Sequence, residues 1–536
     1  MLKKTGSSCA YRSPGRFAIP LLAAAVIGFA TPALVVAQAD GPTDADGYRI
    51  LPPVQKFLDS PSEEIRVKTH VKGVITGKNL LSDNQTMFDA YYNRHFFPMM
   101  TRTDPKALQE LPEERFRFIR DHLEAATNPE VHEHVVDLAL ANLTPIVQNN
   151  FHPIVRYNAL LIIGSINQTE AVRIGGAKAT PEPHIRALPV LYTEFTRAEN
   201  PDLLKVAALI GLVRHMEWDA FRTTPIPAAQ RAAVVKALQD LASQKQPPEG
   251  RTAEGHQWMR RRAIEALGYS NWSKADPAVV EVLNTVLTDK DEPLDVRATA
   301  ATALGRSNIV APSKLEVATT AKELGHLAVL SCMSELERVT KLKETEEEQK
   351  KLLGNRSSGG YGGGYESMPS YGGYGGMEGG LFGNTAPQDP KAYRIDPMRR
   401  KMRARLYGVQ VGLTGPIGDN TPTRGAERLA KTPAEKDAVK KIRESLEKVI
   451  AVVETPDQSM EDFEKALRKA IKPLDDLTKM AKPAVAPAAD TPADEPDIGA
   501  PPAGPTAGGD GKAGRPAVRP TAAPAAAAAP AAGIEP

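Results

Sequence analysis

Most of the residues that mark recognisable chemistry are scarce in this sequence. Only two of its 536 residues are cysteine, Cys9 and Cys332. An internal disulfide framework is therefore excluded, and stability has to come from packing. Cys9 follows Ser7 and Ser8 and precedes an apolar run, which makes it a poor lipid acceptor. Cys332 follows Leu327, Ala328, Val329 and Leu330 and reads as a small core residue. Aromatic residues amount to 5%, and many of the tyrosines sit in one glycine-rich stretch. The formal net charge of +2 lacks the concentrated basic surplus of a nucleic-acid binder. Beyond residue 39 no run is apolar for long enough to cross a bilayer.

Catalytic signatures are missing too. There is no His-Glu-x-x-His, Gly-x-Ser-x-Gly, Walker A or dinucleotide glycine fingerprint, and no Cys-x-x-Cys-His for haem. The one dense histidine cluster is His132-Glu133-His134. On a helix its two histidines point about 200° apart, so they cannot clasp one metal together. No catalytic, cofactor-binding or metal-binding residue is singled out.

What is present begins with a basic start (Lys3, Lys4, Arg12, Arg16), an uncharged stretch from Phe17 to Ala37, and the small residues of Ala37-Gln38-Ala39. This pattern predicts an export signal over 1–39, cleaved near Ala39, with an uncleaved anchor as the alternative. The expected location is the periplasm, the cell envelope or the outside of the cell.

Self-similarity is the strongest internal signal. Three segments share Val/Met-Arg-x-x-Ala-x-x-x-Ile/Leu-Gly: Val155, Arg156, Ala159, Ile163 and Gly164; Met259, Arg260, Ala263, Leu267 and Gly268; Val296, Arg297, Ala300, Leu304 and Gly305. A looser copy runs through Leu204, Lys205, Ala208 and Leu212. The first, fifth and ninth positions stack on one helical face. The alanine admits a neighbouring helix, the glycine reads as a helix C-terminal signal, and the arginine is expected at the rim, reaching acids or carbonyls. Each copy follows another amphipathic segment, and Asp276-Pro277 and Asn200-Pro201 read as caps.

Pro277 to Gly305 resembles a HEAT repeat of the short bacterial, phycobilisome-lyase-like kind, through the acidic turn at Asp289 and Asp291, Val296-Arg297, Ala300 and Ala303-Leu304-Gly305. The resemblance covers roughly residues 110–340. It implies stacked antiparallel helix pairs in a curved rod with Asp–Arg contacts between repeats.

Upstream, Ser60-Pro61-Ser62-Glu63 and Ser82-Asp83-Asn84-Gln85 read as capping boxes. The second precedes Phe88, Tyr91, Tyr92, His95, Phe96 and Phe97, an aromatic stripe that either grips a ligand or closes the end of the array. Downstream, Gly354 to Asn384 is a Gly/Tyr/Ser/Met stretch expected to be unstructured. Met398, Met402 and Leu406 form a stripe that leaves Arg399, Arg400 and Arg403 on other faces. Thr432-Pro433-Ala434-Glu435 and Thr455-Pro456-Asp457-Gln458 open two helices, the second kinked at Pro473.

The expected organisation is an all-α chain: a signal (1–39), a helical cap (40–110), an α-solenoid of HEAT-like pairs (111–353), a Gly/Tyr-rich disordered insertion (354–390), C-terminal helices ending in a helical hairpin (391–482) and a disordered Ala/Pro-rich tail (483–536). The function expected of such a shape is a protein-interaction scaffold in the cell envelope, with a protein partner and no nucleic acid. A structural protein held at the cell surface by peripheral contact with envelope or wall polymers is the alternative. A lyase-type enzyme, by analogy with HEAT-fold bilin lyases, is a further one.

Overall fold

A computed structural model of the chain describes residues 42–53, 60–171, 173–174, 177–178, 180–310, 315–356, 392–418, 424–456 and 458–479. The expected signal, most of the insertion and the tail lie outside them. The described residues are mostly helical, with two short antiparallel strand pairs.

The first helix among the described residues is α1 (Pro61–Ile75), capped by Ser60, whose hydroxyl accepts the Glu63 amide. Helix α2 (Leu81–Tyr91) runs into a π-helical turn, Tyr92–Phe96, and the short α3 (Phe97–Met99). Its start differs from expectation: Leu80 is the cap position and no side chain caps it, so Ser82 lies inside the first turn. Helix α4 (Pro105–Arg117), capped by Asp104, likewise passes into a π turn, Phe118–Leu123.

Helix pairs follow. They are α5 (Pro129–Gln148) with α6 (Pro153–Ser165), α7 (Ala187–Thr196) with α8 (Asp202–Asp219), α9 (Ala228–Ser243) with α10 (Ala253–Ser270), and α11 (Pro277–Thr288) with α12 (Leu294–Arg306). Proline at the first helical position and an Asx cap start α5 and α11, where the missing N–H costs nothing. Asn200 does not cap α8; its amide donates to the Glu194 carbonyl and carboxylate at 2.8 Å. The motif helices α6, α8, α10 and α12 pack side by side in chain order, while α5, α7, α9 and α11 back them on one side. Between α6 and α7 the chain forms strand pairs, Asn167–Thr169 with Glu182–Pro183 and Arg173–Ile174 with Ala177–Lys178, which no periodicity announced.

Helix α13 (Val317–Arg356) reaches past residue 354, where the unstructured stretch was expected to start. Helix α14 (Ala392–Thr414) packs on α12 as the next member of the motif row. Its Met398, Met402 and Leu406 are buried as the stripe requires. Arg399 and Arg405 are buried as well, although Arg399 stands off the apolar stripe. Arg399 lies 4.7 Å over the Phe463 ring, and Arg405 donates to Asp295 at 2.6 Å. After α15 (Gly425–Leu429), α16 (Pro433–Glu454) opens with the expected Thr432/Glu435 capping box. Helix α17 (Met460–Thr478) starts later than expected, capped by Ser459, and continues through Pro473. Helix α16 packs on α17, and both cover α13.

Candidate binding surface

The repeat motif builds the packing of the motif row. Arg260 is 2% exposed and Arg297 1%, so neither lies at a rim. Arg260 donates from Nε and Nη2 to the Ala242 carbonyl at the end of α9, at 3.1 and 2.9 Å. It also forks onto Glu292 of the following turn at 2.6 and 2.7 Å. Arg297 repeats the plan, with Nε to Leu287 O at 2.9 Å and Glu323 of α13 at 3.5 Å. Arg156 reaches Val147 O at 2.8 Å, Asn200 at 3.1 Å and buried Glu194 at 3.9 Å. Each arginine thus satisfies a terminal carbonyl of its own pair's first helix and an acid or amide farther along the chain. The acids are glutamates and not the turn aspartate. Asp289 pairs instead with Lys245, which holds its carboxyl below the usual range.

The motif glycines serve close approach and not chain reversal. All three lie inside their helices, and none has positive φ. A Cβ on Gly164 would sit 3.0 Å from Gly211 Cα, and one on Gly268 2.7 Å from Ala303 Cα. One on Gly305 would overlap the Val411 carbonyl of α14. Ala159, Ala263 and Ala300 are fully buried in the same seam.

With one side of the row turned to α5, α7, α9 and α11, the other stays open. Four motif positions face it: one before the first, and two, six and ten after. They hold Ile154, Tyr157, Leu161 and Ser165 on α6, then Leu203, Val206, Ile210 and Arg214 on α8. On α10 they hold Trp258, Arg261, Glu265 and Tyr269, and on α12 Asp295, Ala298, Thr302 and Arg306. The first three of these positions on α6 and α8 are apolar, with Ile154, Leu203 and Ile210 exposed, while Arg214 donates to the Gly164 carbonyl and to Asn167. The last two helices form a cleft of about 320 Å³ with Ala404 and Arg405. Arg262 lies 5.4 Å over Trp258 and pairs with Glu265; Arg306 lies 4.7 Å over Tyr269. Although burial alone would raise the Asp295 carboxyl, Arg405 holds it below the usual range. Arg261 and Arg306, with Arg400 and Arg403 on α14, have no carboxylate within ion-pair distance among the described residues. This face was readable as an i, i+3, i+7, i+11 stripe beginning one residue before each motif valine or methionine. The buried positions drew the reading instead.

His132 and His134 diverge as the helical geometry requires: His132 meets Glu170 at 3.2 Å, and His134 meets Asp89 at 2.5 Å. No group of three or more His, Cys, Asp or Glu side chains among the described residues is placed to hold a metal ion. No described helix is long and apolar enough to cross a membrane. Cys332 is fully buried, and burial pushes its thiol up to about 12, which leaves no thiolate to act as a nucleophile.

The N-terminal aromatic stripe is buried. Phe88, Tyr91, Tyr92, Phe96, Phe97 and Phe118 form one cluster, with Phe96 and Phe118 stacked at 5.2 Å. Within it the Tyr92 hydroxyl lies 2.6 Å from His122 Nδ1. Burial pushes His122 down to about 4 and Tyr92 well above its ordinary value, so both stay neutral. His122 must therefore take up a proton on unfolding in mild acid. Its contribution to stability is complete above pH 6.5 and is lost as pH falls from about 6.5 to about 4. Thermal unfolding between pH 7 and 4 should show this loss, and His122→Phe should flatten the slope. An unchanged slope would assign the acid sensitivity to other groups.

No family model, curated protein or solved structure matches the chain.

Proposed function

We propose that the chain is an exported HEAT-type α-solenoid whose motif row holds another polypeptide across its open face. The observation that carries this reading is the open register itself. Four successive motif helices turn the same register to this side, with only Ala298 covered, by α14; the register is apolar on α6 and α8 except at Ser165 and Arg214, and aromatic with surplus arginine on α10, α12 and α14. Stacked helix pairs use such an extended face for recognition. Exposed apolar side chains followed by a basic aromatic cleft fit an extended polypeptide with hydrophobic anchors and acidic residues. The C-terminal pair α16–α17 then acts as a hairpin that closes the end of the array, and residues 1–39 direct export. The wall-polymer alternative loses support, because Arg399 and Arg405 are engaged internally and only part of the basic helix faces outward.

Site-specific photo-crosslinking in the native host tests this. A crosslinker at Ile210 or Thr302 should trap the same partner, and one at Lys236 on the backing helix α9 should trap none. Arg261→Glu with Arg306→Glu should lower the yield at least about tenfold, and Arg261→Glu alone, which keeps the Arg306–Tyr269 contact, should lower it in the same direction. Equal crosslinking from Lys236, or an unchanged yield in the double variant, would remove the open face as the binding surface.

A further inference from the structure

All three tryptophans of the chain gather at one part of the open face. Trp258 opens the register of α10 and Tyr269 closes it; Trp272 follows in the turn beyond, and Trp218 stands one turn after Arg214 on α8. Exposed Phe221 links two of them, with its ring 6.1 Å from Trp218 and 6.0 Å from Trp272. Arginines steady the rings. Arg262 and Arg306 lie over Trp258 and Tyr269, and Arg424 lies 4.1 Å over Trp272. The indoles are half-buried. None of their N–H groups has an acceptor among the described residues, and none is sealed from solvent.

Resting on the open-face reading, we propose that this aromatic patch takes a proline-rich, acidic segment of the partner in the polyproline II conformation. Three features select that chemistry. Indole N–H groups are donors only, and here they stand ready for backbone carbonyls that have no other partner. A helical partner has used its carbonyls internally, and a docked β-strand needs a sheet edge, which a row of helices does not offer. A polyproline II segment has no internal hydrogen bonds, so its carbonyls stay free. The second feature is the set of rings themselves. Aromatic-lined grooves hold proline-rich segments, which arrive already extended and lose little entropy on docking. The third is charge. Arg261 and Arg306 have no carboxylate within ion-pair distance among the described residues, so acidic side chains between the prolines complement them. The α6 and α8 positions nearest Ile154 and Leu203 have no indole, and the segment they hold is not constrained in this way.

Calorimetric titration of the full chain with a repeated Asp-Pro-Pro peptide should show binding. The intrinsic tryptophan emission should shift on addition, since the chain has no tryptophan elsewhere. A repeated Asp-Ala-Ala peptide, an acidic amphipathic helix and a repeated Lys-Pro-Pro peptide should each bind at least about tenfold more weakly. Trp258→Phe with Trp272→Phe keeps two rings and removes two N–H donors, and should weaken Asp-Pro-Pro at least about fivefold. Should that variant lose stability, Arg261→Glu carries the test and should weaken the same peptide at least about fivefold. No heat with Asp-Pro-Pro up to millimolar concentration, equal affinity for any comparator, binding that leaves the emission unmoved, or full affinity in a folded variant would each overturn the proposal. Crosslinking from Ile210 and Thr302 without Asp-Pro-Pro binding would remove this ligand class and keep the open face as the binding surface.

Discussion

Replacing Arg260 with alanine should cost about 3–5 kcal/mol of unfolding free energy, the largest loss expected from any single side chain of the motif row. The guanidinium has almost no contact with solvent, and it is held by four hydrogen bonds to two acceptors, the Ala242 carbonyl and Glu292. Alanine removes all four at once. It strands a carboxylate that is 3% exposed at its side chain and a helix-terminal carbonyl, neither of which water can reach. The penalty comes from those orphans more than from any intrinsic strength of the pair. Arg260→Met combined with Glu292→Leu should accordingly restore most of the loss, because apolar replacements of similar volume remove the buried charges together. Arg297→Ala should fall below Arg260→Ala, since its contact to Glu323 is a single long one at 3.5 Å. Arg156→Ala should fall lower still, because its side chain keeps 16% exposure and Arg197 and Asn200 remain on Glu194. Urea denaturation of the four variants, with equal slopes as the condition for comparison, gives the ranking. A double variant as unstable as Arg260→Ala would show that the guanidinium matters through its packing volume and not through the orphaned acid.

The sequence disclosed the helices and their order because each signal was local. Apolar residues recurred at helical spacing, prolines stood at first positions beside Asx caps, and the Thr432/Glu435 box was complete within four residues. Where boundaries slipped, a nearer competitor was present. Ser459 took the cap that Thr455 had been assigned, and Leu80 began α2 without any cap. Long-range facts were the ones misread. An arginine beside an apolar position has the pattern of a rim residue, and only the arrival of Glu292 or Glu323 from elsewhere makes it a buried one. The glycine was read as a terminator because helix ends and helix crossings use the same residue for different reasons. The N-terminal aromatic cluster was legible as a stripe, but its Phe118 side and the Tyr92–His122 contact depended on pairing between segments.

That ambiguity of glycine is decided by Gly305→Ala, the second large effect. Considered as one residue in a helix, the change should stabilise by roughly 1 kcal/mol, because alanine has the higher intrinsic propensity and restricts the unfolded chain. Considered as a crossing point, it should destabilise. The new methyl would overlap the backbone carbonyl of Val411 and lie 2.8 Å from the Gly412 nitrogen. Backbone of a packed helix cannot turn aside as a side chain can, so α14 must translate away from α12. That shift would strain the Arg405 bridge to Asp295 and open the seam where Gly408 lies against the Ala298 carbonyl. Overpacking of this kind costs about 1–3 kcal/mol before the helix propensity gain is subtracted. The expected result is a net loss, with faster amide exchange confined to α12, α14 and their neighbours while α5 and α6 keep their protection. Gly255→Ala is the control. Its Cβ would meet only the Thr252 hydroxyl, at 3.1 Å in the exposed first turn of α10, so propensity should dominate and stability hold or rise. If Gly305→Ala behaves like the control, α12 and α14 are not in contact through this seam. The row would then end at α12, and the Arg405 side of the cleft at Trp258 would have to be redrawn.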